Sequence, residues 1–253
     1  LYSYISELLD SIKDHGTPQF TRQARCAFMA RSFCRTLVEK GYFTKQEMDD
    51  FMLSIPTVAS EFERDFDLYS HGKMSREDFN HLYGHLRLGT YDIRSDSYRN
   101  IYFDVAEANL TGNNKTKQDA KSLDKEKLQT ALDAAGIGIE PEVFINFIKR
   151  ATQNREYFKF EFTKSLSLML DVIVKLGEVM AIAREDMSYL EIQDLLSYHS
   201  RDSYIQTIEI RRKFYHVNSY LVLPEVIFDV GDIDVIDIDE ARPNFITNKI
   251  VEA

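Results

Sequence analysis

The sequence predicts a mainly α-helical protein, with a multi-helix body over residues 1–218 and a small β element at the C-terminus over residues 219–253. Three observations predict it. Apolar residues recur at three- and four-residue spacing through most of the chain, the period that keeps one helix face on a core. Helix-opening pairs, Thr44 with Glu47 and Ser75 with Asp78, stand before two of these stretches. The character changes near the end, where Val226-Ile227-Phe228, Ile233 to Ile238 and Phe245 to Val251 are short, β-branched and separated by Gly231 and Pro243.

Taken in order, Tyr4, Ile5, Leu8, Leu9 and Ile12 predict a first amphipathic helix that stops at Gly16. Thr17-Pro18 opens a second, with Phe20, Ala24, Ala27, Phe28, Leu37 and Val38 as its apolar stripe and Gly41 as its end. The Thr44–Glu47 capping box starts a third, whose pattern continues through Phe51, Met52, Ile55, Phe62, Phe66 and Tyr69, with Pro56 placed to break or kink it. Ser75 and Asp78 begin a short fourth helix. Residues 111–117 read as a polar loop, a mobile insertion, before a helix from about Leu123 to Ala135. After the 136–141 break, apolar residues from Val143 to Met180 predict one or two long helices, with 152–155 as a possible join. Shorter helices opened by Ser188 and Asp202 follow. Cys26 and Cys34 lie eight apart on one predicted helix, roughly 12 Å along its axis, which is too far for a disulfide and points to reduced, buried thiols.

Composition excludes several classes. Hydrophobic content of 44% with 28% charged residues is that of an ordinary globular chain. The formal charge of −10 argues against a general nucleic-acid surface, which needs clustered Lys and Arg. No apolar run approaches the roughly 20 residues of a membrane span, and no signal-peptide order opens the chain, so a cytoplasmic protein without membrane partners is expected. The acids between Asp232 and Glu240 lack the glycine and spacing of a calcium loop, and no metal site is expected. Arg211-Arg212-Lys213 reads as a solvated helix face. The 14 Tyr and 17 Phe fill the core of a chain without Trp, although such residues also line pockets for bulky, partly apolar ligands.

The segment 83–93, Tyr-Gly-His-Leu-Arg-Leu-Gly-Thr-Tyr-Asp-Ile, is the candidate site. Gly84 and Gly89 permit the close backbone approach that would present His85 and Arg87 towards one point. Those side chains handle protons and anions. The loop follows a helix C-terminus, where the dipole favours cations, so an anion would have to be held by Arg87, Arg94 or Arg99. The plainer alternatives are a His85 satisfied by backbone carbonyls and an Arg87–Asp92 salt bridge bracing the loop.

This segment resembles the Tyr-Gly-His-Arg/Leu-x-Pro-Gly-x-x-Asp-Ile/Leu signature in the middle region of phosphoenolpyruvate-synthase-like enzymes, the family of pyruvate phosphate dikinase that includes rifampin phosphotransferase. Leu88 stands where that signature has proline. Arg184 to Leu190 is similar to the family's Arg-Glu-Asp-hydrophobic-Ser-Tyr/Phe-Leu stretch. Tyr220 to Pro224, followed by Pro243 to Thr247 and Val251, resembles its run into the phosphohistidine domain.

The resemblance implies ATP-dependent phosphotransfer through a phosphohistidine, with this chain as the helical middle domain between an ATP-grasp domain and a swivelling phosphohistidine domain of the same polypeptide. It implies acceptor-binding roles for Arg87, Tyr91, Asp92 and Arg99, a catalytic acid/base role for His85, and ATP and magnesium held outside this segment. The segment alone is expected to be inactive, because it carries neither a Gly-rich nucleotide loop nor a Gly-Gly-x-x-Ser-His-x-Ala sequence. It reads as a piece of a larger protein. Two rivals stand beside this reading: a structural spacer in which the Gly84 loop is a packing turn, and a stand-alone helical interaction module.

Overall fold

The computed structural model describes residues 1–88, 91–101, 121–224, 226–231 and 237–238, and these are mainly helical. The chain divides into two compact units, Leu1–Leu176 and Gly177–Ala253, each taken by itself below.

The first unit opens with α1 (Tyr2–Ser11), a π-helical turn (Ile12–Gly16) and α2 (Thr17–Glu39) in unbroken succession. The expected stop at Gly16 is therefore overturned. Gly16 has helical dihedrals, φ −64° and ψ −64°. A Cβ on it would lie 2.8 Å from Cβ of Phe162. The glycine serves close packing of a widened turn and not chain termination. Gly41, by contrast, ends α2 as predicted: at φ +77° it follows the last turn, and the N–H groups of Gly41 and Tyr42 reach the carbonyls of Val38 and Leu37.

Helix α3 (Lys45–Leu53) begins at the predicted capping box. Thr44 Oγ1 accepts from the Glu47 N–H at 3.1 Å, and the Glu47 carboxylate accepts from the Thr44 N–H at 2.7 Å. The Thr44 backbone N–H, with the Thr44 hydroxyl and Lys127, holds the Glu47 carboxyl down at about 2. The stretch around Pro56 separates α3 from α4 (Val58–Ser70), and α5 (Arg76–Tyr83) follows Ser75, whose Oγ accepts from the Asp78 N–H at 3.0 Å. Then come α6 (Lys125–Ala134) and α7 (Pro141–Met180), the latter one continuous helix of 40 residues. The possible join at 152–155 does not interrupt it. Thr152 returns its hydroxyl to the Ile148 carbonyl at 2.9 Å, while Ile148 and Ala151 beside it are buried.

The core of this unit packs α2, α3, α6 and α7 through Ala30, Phe51, Leu128, Ile145 and Ile148. Burial of a side chain of this size contributes roughly 2 kcal/mol. Phe28, expected on the apolar stripe of α2, is 62% exposed. It lies two residues from buried Ala30, which on a helix is nearly the opposite face. Cys34 is buried and Cys26 half-buried, both as free thiols, and burial pushes the Cys34 thiol up to about 11. A second layer is aromatic: Phe62, Phe66, Phe79 and Tyr83 join α4 to α5, and Tyr83 meets Phe160 of α7 at a centroid distance of 5.9 Å.

The second unit holds α8 (Arg184–Met187), a 3₁₀ turn (Ile192–Leu195) and α9 (Arg201–Asn218). Ser188 closes α8 instead of opening a helix, its hydroxyl donating to the Glu185 carbonyl, and Ser200 rather than Asp202 caps α9. The basic cluster is not simply solvated. Arg211 pairs with Asp194 and donates to the Tyr189 carbonyl, and Arg212 pairs with Asp186 over the Tyr189 ring. Leu221–Val222 pairs antiparallel with Asp237–Ile238 over two residues each. Residues 226–231 contain no strand. The strands expected at 233–236 and 245–251, the polar loop at 111–117 and most of the acidic run 232–240 lie outside the described residues. The expected boundary after residue 218 falls within this unit. Among the described residues, no helix is long and apolar enough to cross a membrane.

Candidate functional site

Helix α5 ends where Gly84 donates its N–H to the Asn80 carbonyl at 2.9 Å, with φ −59°. A Cβ on Gly84 would lie 2.4 Å from that carbonyl oxygen. The glycine is thus required for close approach and not for a left-handed turn. The chain then leaves and returns to the same place. Tyr98 N–H reaches the Leu86 carbonyl at 2.8 Å, Arg99 N–H reaches the Gly84 carbonyl at 3.0 Å, and Arg87 and Ser97 form an antiparallel bridge. Residues 84–88 and 91–99 are therefore two limbs drawn together at a closed neck. Gly89, predicted as the second loop-forming glycine, lies outside the described residues.

Arg87 points inward, its side chain fully buried. Nε donates to Ser167 Oγ at 3.1 Å, Nη2 donates to the Ser167 carbonyl at 2.9 Å and to Asp171 Oδ1 at 2.5 Å, and Nη1 donates to the Ser95 carbonyl. Four of the five guanidinium N–H groups are thus engaged by α7 and by the loop itself. The expected Arg87–Asp92 bridge is replaced by two other pairs: Arg87 pairs with Asp171, and Asp92 pairs with Arg94 at 2.6 Å and accepts from the Arg94 N–H at 2.9 Å.

His85 is 8% exposed, with its ring edge-on to Phe160 at 4.5 Å between centroids. Burial pulls its pKa down to about 4; Lys164 and Arg99 push the same way, against the Phe160 backbone hydrogen bond and Glu161. The near-neutral pKa expected of a free imidazole is therefore corrected, because the imidazolium would lose its hydration in this apolar wall. Its Nε2 is buried without a hydrogen-bond partner, as is Ser97 Oγ. A neutral imidazole carries one donor and one acceptor nitrogen, and the unpartnered Nε2 can take either part.

Tyr91 is half-buried, and burial raises its hydroxyl pKa against a hydrogen bond with Thr163. Beneath the loop, Tyr83 donates to Asp65 Oδ2 at 2.8 Å, and Arg64 donates to Asp65 Oδ1 at 2.9 Å. Burial pushes the Asp65 carboxyl up, but these two bonds outweigh it and hold it below the usual range. Arg99 is exposed and borders a groove of about 580 Å³ with Arg76, Glu77, Asn80 and His81.

The predicted residues thus fall into two sets. His85, Arg87 and Tyr91 fold onto α7, while Asp92 and Arg99 stay on the outside. Composition and local spacing missed the receiving side: Phe160, Thr163, Ser167 and Asp171. A signal was present, since Thr163, Ser167 and Asp171 recur at four-residue intervals and so share one face of the helix. Among the described residues, no three His, Cys, Asp or Glu side chains are placed to hold a metal ion. No protein-family model, curated protein or solved structure matches the chain.

Proposed function

We propose that this chain is the helical segment of a phosphoenolpyruvate-synthase-like phosphotransferase, standing in sequence between an ATP-grasp domain and a phosphohistidine domain and contributing to acceptor binding. ATP-dependent phosphorylation belongs to the full-length enzyme, with ATP and magnesium carried by the ATP-grasp part.

The observation that carries this proposal is His85 Nε2. A buried polar atom without a partner costs roughly 1–3 kcal/mol, which a turn kept only for packing has no reason to bear. In a neutral imidazole this nitrogen is suited to exchange one hydrogen bond with an acceptor hydroxyl and so orient it. With a pKa of about 4, it is a weak base at neutral pH, and orientation is the contribution its chemistry favours.

The spacer alternative is favoured by Arg87, which spends four of its five donors within the protein. The two are separated by His85→Ala in the full-length enzyme. Acceptor binding predicts a loss of turnover well beyond the loss of stability; equal losses, or unchanged turnover, favour the spacer.

A further inference from the structure

Outside the buried seam, α5 and the returning limb of the loop make a charged groove that the sequence motif does not account for. Arg76, Glu77, Asn80 and His81 lie along one side of α5, and Arg99 completes the wall. The Arg99 backbone is pinned by its hydrogen bond to the Gly84 carbonyl, which fixes where this side chain starts. Its guanidinium is exposed and carries no ion pair among the described residues. Arg76 already has other interactions and adds only to the local field, while Glu77 opposes one positive charge. On a chain of net charge −10, a groove with two arginines against a single carboxylate is a local reversal of sign. Such a reversal concentrates small anions that the remaining surface repels.

We propose that this groove binds the oxyanion group of a small molecule, phosphate or carboxylate, with the Arg99 guanidinium as principal donor and His81 and Asn80 completing the set. A planar fork matches two oxygens of such a group, a geometry that a lysine cannot reproduce. Naming that molecule as the phosphate acceptor rests on the phosphotransferase proposal, whereas the anion site does not.

The groove also communicates with the seam. The buried His85 ring feels the positive charges of Arg99 and of Lys164, with Glu161 and the Phe160 carbonyl opposing them. An anion seated on Arg99 cancels part of that field, so occupancy should move the His85 pKa upward from its depressed position.

The test is a titration of the 253-residue chain with inorganic phosphate at low ionic strength, followed by NMR at Asn80, His81 and His85. The expected result is a saturable shift at Asn80 and His81, an upward move of the His85 titration, and an affinity reduced at least tenfold in Arg99→Ala and substantially in Arg99→Lys. Arg35→Ala, on an exposed helix position of the same charge, should leave the affinity unchanged. Shifts that grow linearly without saturating, or an Arg99→Ala variant that binds as the parent does, would overturn the site. Pyruvate in place of phosphate distinguishes a carboxylate preference from a phosphate one. Saturable binding in a protein whose full-length form makes no phosphohistidine would leave the anion site standing and remove only its assignment to an acceptor.

Discussion

Arg87 Nη2 lies 2.5 Å from Asp171 Oδ1 across 84 residues of sequence, with the arginine side chain fully buried and the aspartate side chain 30% exposed. This pair, reinforced by Ser167, joins the neck of the loop to the C-terminal third of α7. Removing the buried arginine leaves the Asp171 carboxylate and the Ser95 and Ser167 carbonyls without their donor. Arg87→Ala should cost about 3–5 kcal/mol in urea unfolding, and Arg87→Lys a smaller but clear loss because the fork is gone. Variants within about 0.5 kcal/mol of the parent would show that the loop is held by something else.

His85 makes stability depend on pH. Its folded pKa of about 4 lies below the ordinary imidazole value near 6.5, so between those values the unfolded chain binds the extra proton. Stability therefore rises with pH through this window, and the His85 contribution is fully present above 6.5 and lost as pH falls towards 4. The span is about 3 kcal/mol. Comparing unfolding free energies at pH 7 and pH 4.5 for the parent and His85→Phe isolates the effect from the carboxylates that titrate nearby. The variant should lose less stability on acidification; an identical pH slope would place His85 in water.

Gly84→Ala tests close approach against turn conformation. Its φ is ordinary for any residue, so the cost should come from the methyl group meeting the Asn80 carbonyl, about 1–3 kcal/mol. A neutral substitution would mean that the end of α5 relaxes freely. Gly16→Ala should behave alike, since its methyl would meet Phe162.

Tyr83→Phe removes one of the two hydrogen bonds that satisfy buried Asp65, and thermal or urea unfolding should register a loss of about 1–2 kcal/mol. Arg64→Ala should cost less, because that arginine side chain is 65% exposed and solvent replaces part of its contact. The reverse order would assign the stabilisation of Asp65 to the surface pair.

What the sequence made legible here is local. The Thr44–Glu47 box, the Ser75 cap and the stop at Gly41 each depend on residues within one turn, and each holds. Gly16 misled because a glycine at the end of an apolar pattern looks the same whether it terminates a helix or admits a neighbour 146 residues later. The segment 83–93 was legible as a special place, but the direction of its side chains was not. Arg87 turned inward because Ser167 and Asp171 offer it a fork-shaped partner, and nothing near residue 87 encodes that. The histidine had a free-imidazole pKa on paper until Phe160 covered it.

The most direct test of the phosphotransferase account is to incubate the full-length protein with magnesium and ATP labelled in its β and γ phosphates, and then to examine the label left on the polypeptide. The account predicts protein-bound phosphate that survives base and is released by acid, as a phosphohistidine is, and that passes to a small-molecule acceptor. A protein that takes up no label, or whose label survives acid as a hydroxyl ester does, would contradict it.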